Sequence, residues 1–162
     1  MGYINETVDT EVVVSEHSQE RWRRRDEELS RWVAAPKTRK RAKQTVLFGG
    51  AEIDAELLKA LMLLKQMGIQ TEYSCAGVSL LDEPEEHSLY AYITFQKTEK
   101  ATAFINYAMT RMKHRLLVTF EPKRNRYDLS SFYIGHNRSF CFLIERCAKV
   151  MKELESMEAP HE

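Results

Sequence analysis

Ala101, Phe104, Ile105, Ala108, Met109 and Met112 recur at i, i+3, i+4, i+7, i+8 and i+11, the spacing that lays one apolar stripe along a helix. Thr98 precedes them where a hydroxyl can accept a first-turn amide, so the pattern predicts a helix over 98–112. Ile53, Leu57, Leu61, Leu64 and Met67 share this period, and Gly68 follows where a helix end takes a left-handed residue. Phe140, Leu143, Ile144, Cys147, Ala148, Met151 and Leu154 give a third helix, capped by Asn137 or Ser139. Strand-like runs fill the intervals: 69–75 and 89–95, then 116–121 and 127–134. The first two are expected to pair antiparallel around a loop that carries Asp82, Glu83, Pro84, Glu85, Glu86 and His87. Helix, two strands, helix, two strands, helix predicts an α+β fold over 45–157, a mixed or antiparallel sheet with packed helices, followed by a tail at 158–162.

The segment before this block is organised by charge. Residues 1–20 hold Glu6, Asp9, Glu11, Glu16 and Glu20 without a lysine or arginine, and Val12 to Val14 form their apolar cluster, which reads as a flexible acidic arm. Over 21–44 the sign inverts: Arg21, Arg23, Arg24, Arg25, Arg31, Lys37, Arg39, Lys40, Arg41 and Lys43 oppose Asp26, Glu27 and Glu28. Trp22, Leu29 and Trp32 fall at helical spacing, so this is a basic amphipathic segment, and Pro36 should end its helix at the residue before. A short strand is expected at 45–48, stopped by Gly49-Gly50.

Lysine plus arginine and aspartate plus glutamate both number 24, so any case for a polyanion partner rests on local clusters. A second cluster comprises Arg111, Lys113, His114 and Arg115, then Lys123, Arg124 and Arg126 around Asn125. If Arg23, Arg24, Arg25, Arg39, Lys40 and Arg41 share a face with Arg115, Lys123, Arg124 and Arg126, they form a phosphate-tracking groove suited to RNA. If the two lie apart, they are solubilising surface.

Thr71-Glu72-Tyr73-Ser74-Cys75-Ala76-Gly77 places a hydroxyl, a thiol and a glycine backbone where a strand should end, and so marks a candidate ligand site. Cys75 is read as core packing or as a reactive thiolate, and Ser74 as a hydrogen-bonding group. Gly77 either lets amides approach a ligand or supplies a positive-φ turn. Tyr90 and Tyr92 could stack a base, with Thr94 on the same strand face as Tyr92. His87 and the acidic loop offer oxygen and nitrogen ligands at a spacing that specifies no metal, and none is assigned.

Thr71, Ser74, Cys75, Ala76 and Gly77, with Leu80-Leu81-Asp82 and Phe120-Glu121-Pro122, resemble the wybutosine-synthesising methyltransferases that act on tRNA, in the family of the third-step enzyme. The order of elements over about residues 52 to 150 is similar. Val78 stands where that family carries an arginine, and the family continues beyond the length of this chain. The resemblance implies the fold, an RNA-linked function and S-adenosylmethionine as a cofactor.

Cys75, Cys141 and Cys147 form no CxxC pair, no leader is evident and no apolar run reaches the length of a membrane span, which together predict a reduced, cytoplasmic protein away from membranes. Glycine-rich phosphate loops, dinucleotide fingerprints and zinc spacings are absent from the sequence. The residues thus favour an RNA- or nucleotide-binding protein and leave catalysis undecided. The alternative is a regulator or antagonist that engages a protein partner through 21–43. A free strand edge would favour a homodimer.

Overall fold

The computed structural model describes residues 11–36, 44–79 and 88–158. Its elements are β1 (Val12–Val13), α1 (Gln19–Ala34), β2 (Thr45–Phe48), β3 (Ala51–Asp54), α2 (Leu58–Gln66), β4 (Thr71–Cys75), β5 (Tyr92–Gln96), α3 (Glu99–Met112), β6 (Leu116–Glu121), β7 (Arg126–Ser131) and α4 (Asn137–Glu158). Single 3-10 turns at Ala55–Leu57, Lys113–Arg115 and Ile134–His136 lead into α2, β6 and α4.

The fold is α+β, as the alternation of periods requires. One sheet runs β1-β6-β7-β5-β4, and every pairing in it is antiparallel. Ile93 lies opposite Leu129, Leu129 opposite Val118 and Phe95 opposite Tyr127, so three adjacent strands present one apolar stripe. Helices α2, α3 and α4 bring Leu61, Leu64, Phe104, Ile105, Phe140 and Ile144 into the same buried cluster. Phe95, Phe104, Ile93, Leu129 and Ile144 are fully buried, each stabilising the fold by roughly 1.5–3 kcal/mol before entropy is subtracted. Helix α3 begins where Thr98 Oγ1 accepts the Ala101 N–H at 3.0 Å. On the other sheet face, Tyr92, Thr94 and Gln96 of β5 stand opposite Ser130, Asp128 and Arg126 of β7.

Several boundaries differ from the sequence expectation. Within the acidic arm, Val12 pairs with Phe120 and Val13 with Thr119, and the Val14 N–H donates to the Val118 carbonyl at 2.8 Å. The edge of β6 leaves backbone groups to satisfy, and a β-branched pair answers them. Residues 1–10 of that arm lie outside the described residues. Ile53 belongs to a hairpin rather than to the first core helix: β2 pairs with β3, Val46 opposite Ile53, across Gly49 and Gly50 at φ +58° and +80°. A two-residue hairpin loop with both φ positive matches strand twist, and glycine adopts it without strain. The strand expected from Leu89 starts at Tyr92, and the one expected to reach Ile134 ends at Ser131. Helix α1 stops as expected, Ala35 before Pro36 being extended at φ −70° and ψ 141°. No described helix is long and apolar enough to cross a membrane.

Candidate functional site

Helix α1 carries two kinds of arginine. Ser18 caps it by accepting the Arg21 N–H at 3.2 Å. On its outer side Arg23 pairs with Glu20 and, at 2.9 Å, with Glu27, while Arg24 reaches Glu20 at 3.2 Å. Arg25 instead turns inward. Its guanidinium lies 4.0 Å from the centre of the Tyr90 ring and 5.2 Å from that of Phe132, and it donates to the carbonyls of Phe132 and Ser131. Carbonyls and ring faces both favour a cation, so this burial is compensated. His17 stacks on Phe132 at 4.1 Å and Trp22 meets the same ring edge-on at 5.0 Å. Burial, opposed by the Leu116 backbone but aided by Arg21 and Arg25, holds the His17 pKa below its ordinary value. Further along the helix, Glu28 accepts the N–H groups of Ile134 at 2.6 Å and Gly135 at 3.0 Å. Its carboxylate thus fills the anion position before α4.

The first residue of α4 holds the neighbouring turns together. Asn137 is 2% exposed, and its Oδ1 accepts the Ala91 N–H at 2.8 Å and the Ser131 hydroxyl at 2.6 Å. Its Nδ2 donates to the carbonyls of Val78 and Leu89, both at 2.8 Å. Both donors and both acceptor directions of the amide are therefore used. Gly77, at φ +76°, passes directly against it: a Cβ there would fall on the Asn137 amide and 2.6 Å from the Ala91 nitrogen. Gly77 thus takes the positive φ of one of its two readings, and the group packed against it is Asn137 of the same chain.

The Thr71–Gly77 stretch and the residues after it border two clefts. The first, about 560 Å³, lies between the C-terminal half of α1, Val78–Ser79 and the start of α4. Trp32, Ala35, Val78 and Ile134 supply its apolar lining, and Arg31 and Arg138 are exposed within it. The second, about 660 Å³, lies between β4 and the β2–β3 hairpin, with Thr71 and Ser74 among its lining residues.

The predicted ligand residues do not converge. Thr71 and Ser74 border the second cleft. Cys75 is 4% exposed and its sulfur accepts the Gly77 N–H at 3.4 Å, a packing role. Burial pushes the Cys141 thiol up to about 12, with Glu56, Asp54 and Cys75 adding to the rise. All three cysteines are buried, and none is in a disulfide. Tyr90 is held against Arg25 rather than open to a base. Tyr92 lies on the β5 face opposite Ser130. His87 lies outside the described residues, among which no cluster of three or more histidine, cysteine or carboxylate side chains could hold a metal.

The predicted phosphate contacts also separate. Arg126 is mostly buried between Glu121 at 3.3 Å and Glu72 at 3.8 Å, and Arg124 lies 3.5 Å from Glu121. These residues and Lys123 sit at the start of β7, whereas α1 packs beyond its end, around Phe132 and Ile134. Arg115 belongs to the α1 end, with its guanidinium 3.4 Å from the Ser139 hydroxyl. Arg39, Lys40 and Arg41 lie outside the described residues. A continuous groove joining Arg23, Arg24 and Arg25 to Arg124 and Arg126 is therefore not formed: carboxylates and ring faces take up these cations, and the length of β7 divides them.

Sequence reasoning missed Glu28, Arg31, Asn137 and Arg138 as site residues. Trp32 was visible in the Arg-Trp pattern and Asn137 as a helix cap, but their meeting with Val78 depends on contacts across 59 positions of chain. On the other sheet face, Asp128 buries an oxygen that has no hydrogen-bond partner among the described residues, and burial, Glu11 and Glu121 push its pKa up to about 6 against Arg126. No protein family, curated protein or solved structure matches this chain.

Proposed function

We propose that the protein binds a small nucleotide-class ligand, a planar aromatic ring carrying phosphate, in the cleft between α1 and Val78–Ser79. The observation that carries this reading is the pairing of an apolar lining that includes Trp32 with Arg31 and Arg138, neither of which has an ion pair among the described residues. Its volume lies within the range of about 300–1,000 Å³ typical of small-molecule sites. An indole offers a stacking face, and two guanidinia suit phosphate oxygens. Arginines with carboxylate neighbours, such as Arg23 and Arg126, have less charge to offer an RNA backbone, so a mononucleotide is favoured over a long strand.

S-adenosylmethionine fits this lining poorly. Its sulfonium and amino group call for carboxylates, and Glu28, the carboxylate in the lining, is engaged by the Ile134 and Gly135 amides. The resemblance to tRNA-modifying methyltransferases therefore contributes no methyl-transfer step here. On the partner-binding alternative, Trp22 and Arg25 are engaged within their own chain, so a partner would meet α1 through its outer side.

The test is calorimetric titration of the full chain with AMP, GMP, adenosine and S-adenosylmethionine. A mononucleotide should bind saturably, Arg31→Ala with Arg138→Ala should weaken it about tenfold or more, and adenosine should be insensitive to that change. Trp32→Ala should weaken nucleotide and nucleoside alike. Absence of mononucleotide binding at millimolar concentration, or binding unaffected by the arginine changes, would refute the assignment. RNA binding whose salt dependence flattens in Arg124→Ala with Arg126→Ala would instead favour an RNA partner at the start of β7.

A further inference from the structure

The outward side of α4 and the end of α3 form one cationic face. Helix α4 buries Phe140, Ile144, Cys147 and Ala148, which leaves Arg138, Phe142, Arg146 and Lys149 exposed along the opposite stripe. Phe142, one turn from each arginine, is 57% exposed. Alongside run Arg111, Lys113 and Arg115, all exposed. The Arg115 guanidinium lies 3.4 Å from the Ser139 hydroxyl. Further along, burial pushes the Cys147 thiol up and the charge of Arg111 opposes the rise, so this end of α3 meets α4 at two levels. Glu145 and Glu153 are the carboxylates within stretches 111–115 and 138–153. None of Arg111, Lys113, Arg115, Arg138, Arg146 and Lys149 forms an ion pair among the described residues.

From this geometry we infer a membrane-docking surface, in which the α3–α4 face lies on an anionic phospholipid bilayer and Phe142 enters between the headgroups. The contact is with the membrane surface, since no described helix is long and apolar enough to cross. Three features select this partner. Arg138 to Lys149 extend about 16 Å along α4, and the end of α3 adds a second row about 8–10 Å away, so the cations cover a plane, as headgroup phosphates do, where a nucleic-acid strand presents its phosphates along a line. An exposed aromatic ring flanked by arginines supplies an apolar anchor at headgroup depth. Basic and acidic residues balance over the whole chain, so attraction to an anionic surface depends on how they are distributed. Glu72, Glu121 and Asp128 lie around Arg126 on the sheet face away from α4, and this polarity turns the cationic face towards the bilayer.

The experiment mixes the full chain with vesicles of phosphatidylcholine, alone or with about one-third phosphatidylserine, and reads the bound fraction by sedimentation at about 0.1 M salt. The protein should bind the anionic vesicles saturably, ignore the neutral ones and be released at about 0.5 M salt. Arg146→Glu with Lys149→Glu should lower the partition coefficient about tenfold or more. Lys123→Glu with Arg124→Glu, an equal change in net charge at the far end of β7, should lower it less than about twofold. Phe142→Ser should weaken binding about threefold and leave the salt response unchanged. All these side chains are exposed, so circular dichroism of the variants should match that of the parent chain. No binding to anionic vesicles, equal losses in the two charge-reversed pairs, or single-stranded RNA that displaces the protein from vesicles and loses affinity in Arg146→Glu with Lys149→Glu would overturn the proposal.

Discussion

Gly77→Ala tests the junction on which the first cleft depends. At φ +76° a side chain costs about 1–2 kcal/mol in backbone energy alone. The added Cβ also falls on the Asn137 amide and 2.6 Å from the Ala91 nitrogen, so Asn137 must move. Displacing it weakens the bonds to Val78 and Leu89, both 2.8 Å long, at about 1 kcal/mol each. The expected loss is therefore about 3–4 kcal/mol, or a fall in Tm of roughly 10 °C for a chain of this size. Urea unfolding followed by circular dichroism reads the first quantity and a thermal scan the second. Gly77→Asn separates the causes, because asparagine tolerates the left-handed region but carries the same Cβ; if sterics dominate, it should cost nearly as much as alanine. A double-mutant cycle with Asn137→Ala should show coupling of at least about 1 kcal/mol, since removing the amide relieves part of the clash. A loss under about 1 kcal/mol, or additive single changes, would refute the account of Gly77 as a close-approach residue.

Two pH-dependent effects of opposite sign accompany it. Asp128 rises from 3.8 to about 6, so between those values the folded chain holds a proton that the unfolded chain releases, and stability falls as pH rises through that window. Asp128→Asn should gain on the order of 1–3 kcal/mol at pH 7.5 and little at pH 4, and equal gains at both, measured by denaturant titration, would contradict the buried carboxylate. His17 is held low, so docking of α1 should be complete above its ordinary 6.5 and weaken as pH falls through that value towards the lower folded one. Trp22 fluorescence should report this, and His17→Phe should flatten the profile while keeping the stack on Phe132. Arg25→Ala removes the cation over Tyr90 and the donors to Ser131 and Phe132; amide exchange in α1 should accelerate by one to two orders of magnitude, for a loss of about 2 kcal/mol, with α3 unchanged.

Elements whose apolar faces meet the main core were legible in the sequence. Helix α3 follows its stripe from the Thr98 cap to Met112, and the paired runs at β6 and β7 alternate as the register requires. The hairpin was obscured because Ile53 and Leu57 sit four apart, a spacing that a helix and a strand followed by a turn satisfy equally. Gly49-Gly50 held the decisive information, since adjacent residues with positive φ both end a strand and begin its partner. The site was less legible, because charge in a sequence reads as exposure. Arg23 and Arg25 differ by two positions, yet one meets solvent and glutamates while the other is enclosed by Tyr90 and Phe132, contributed from far along the chain. Asn137 illustrates the same limit: its four partners come from three separate turns.

Helix α1 contains no buried residue, and its hold on the core is concentrated at His17, Trp22, Arg25 and Glu28. Such a segment opens at a lower free energy than the core unfolds. It also offers Arg23, Arg24 and Arg31 to trypsin-like proteases, with Arg21 and Arg25 half-buried. Cleavage within this helix accordingly follows its local opening rather than global unfolding, and the ligand proposed beside Trp32 would slow it.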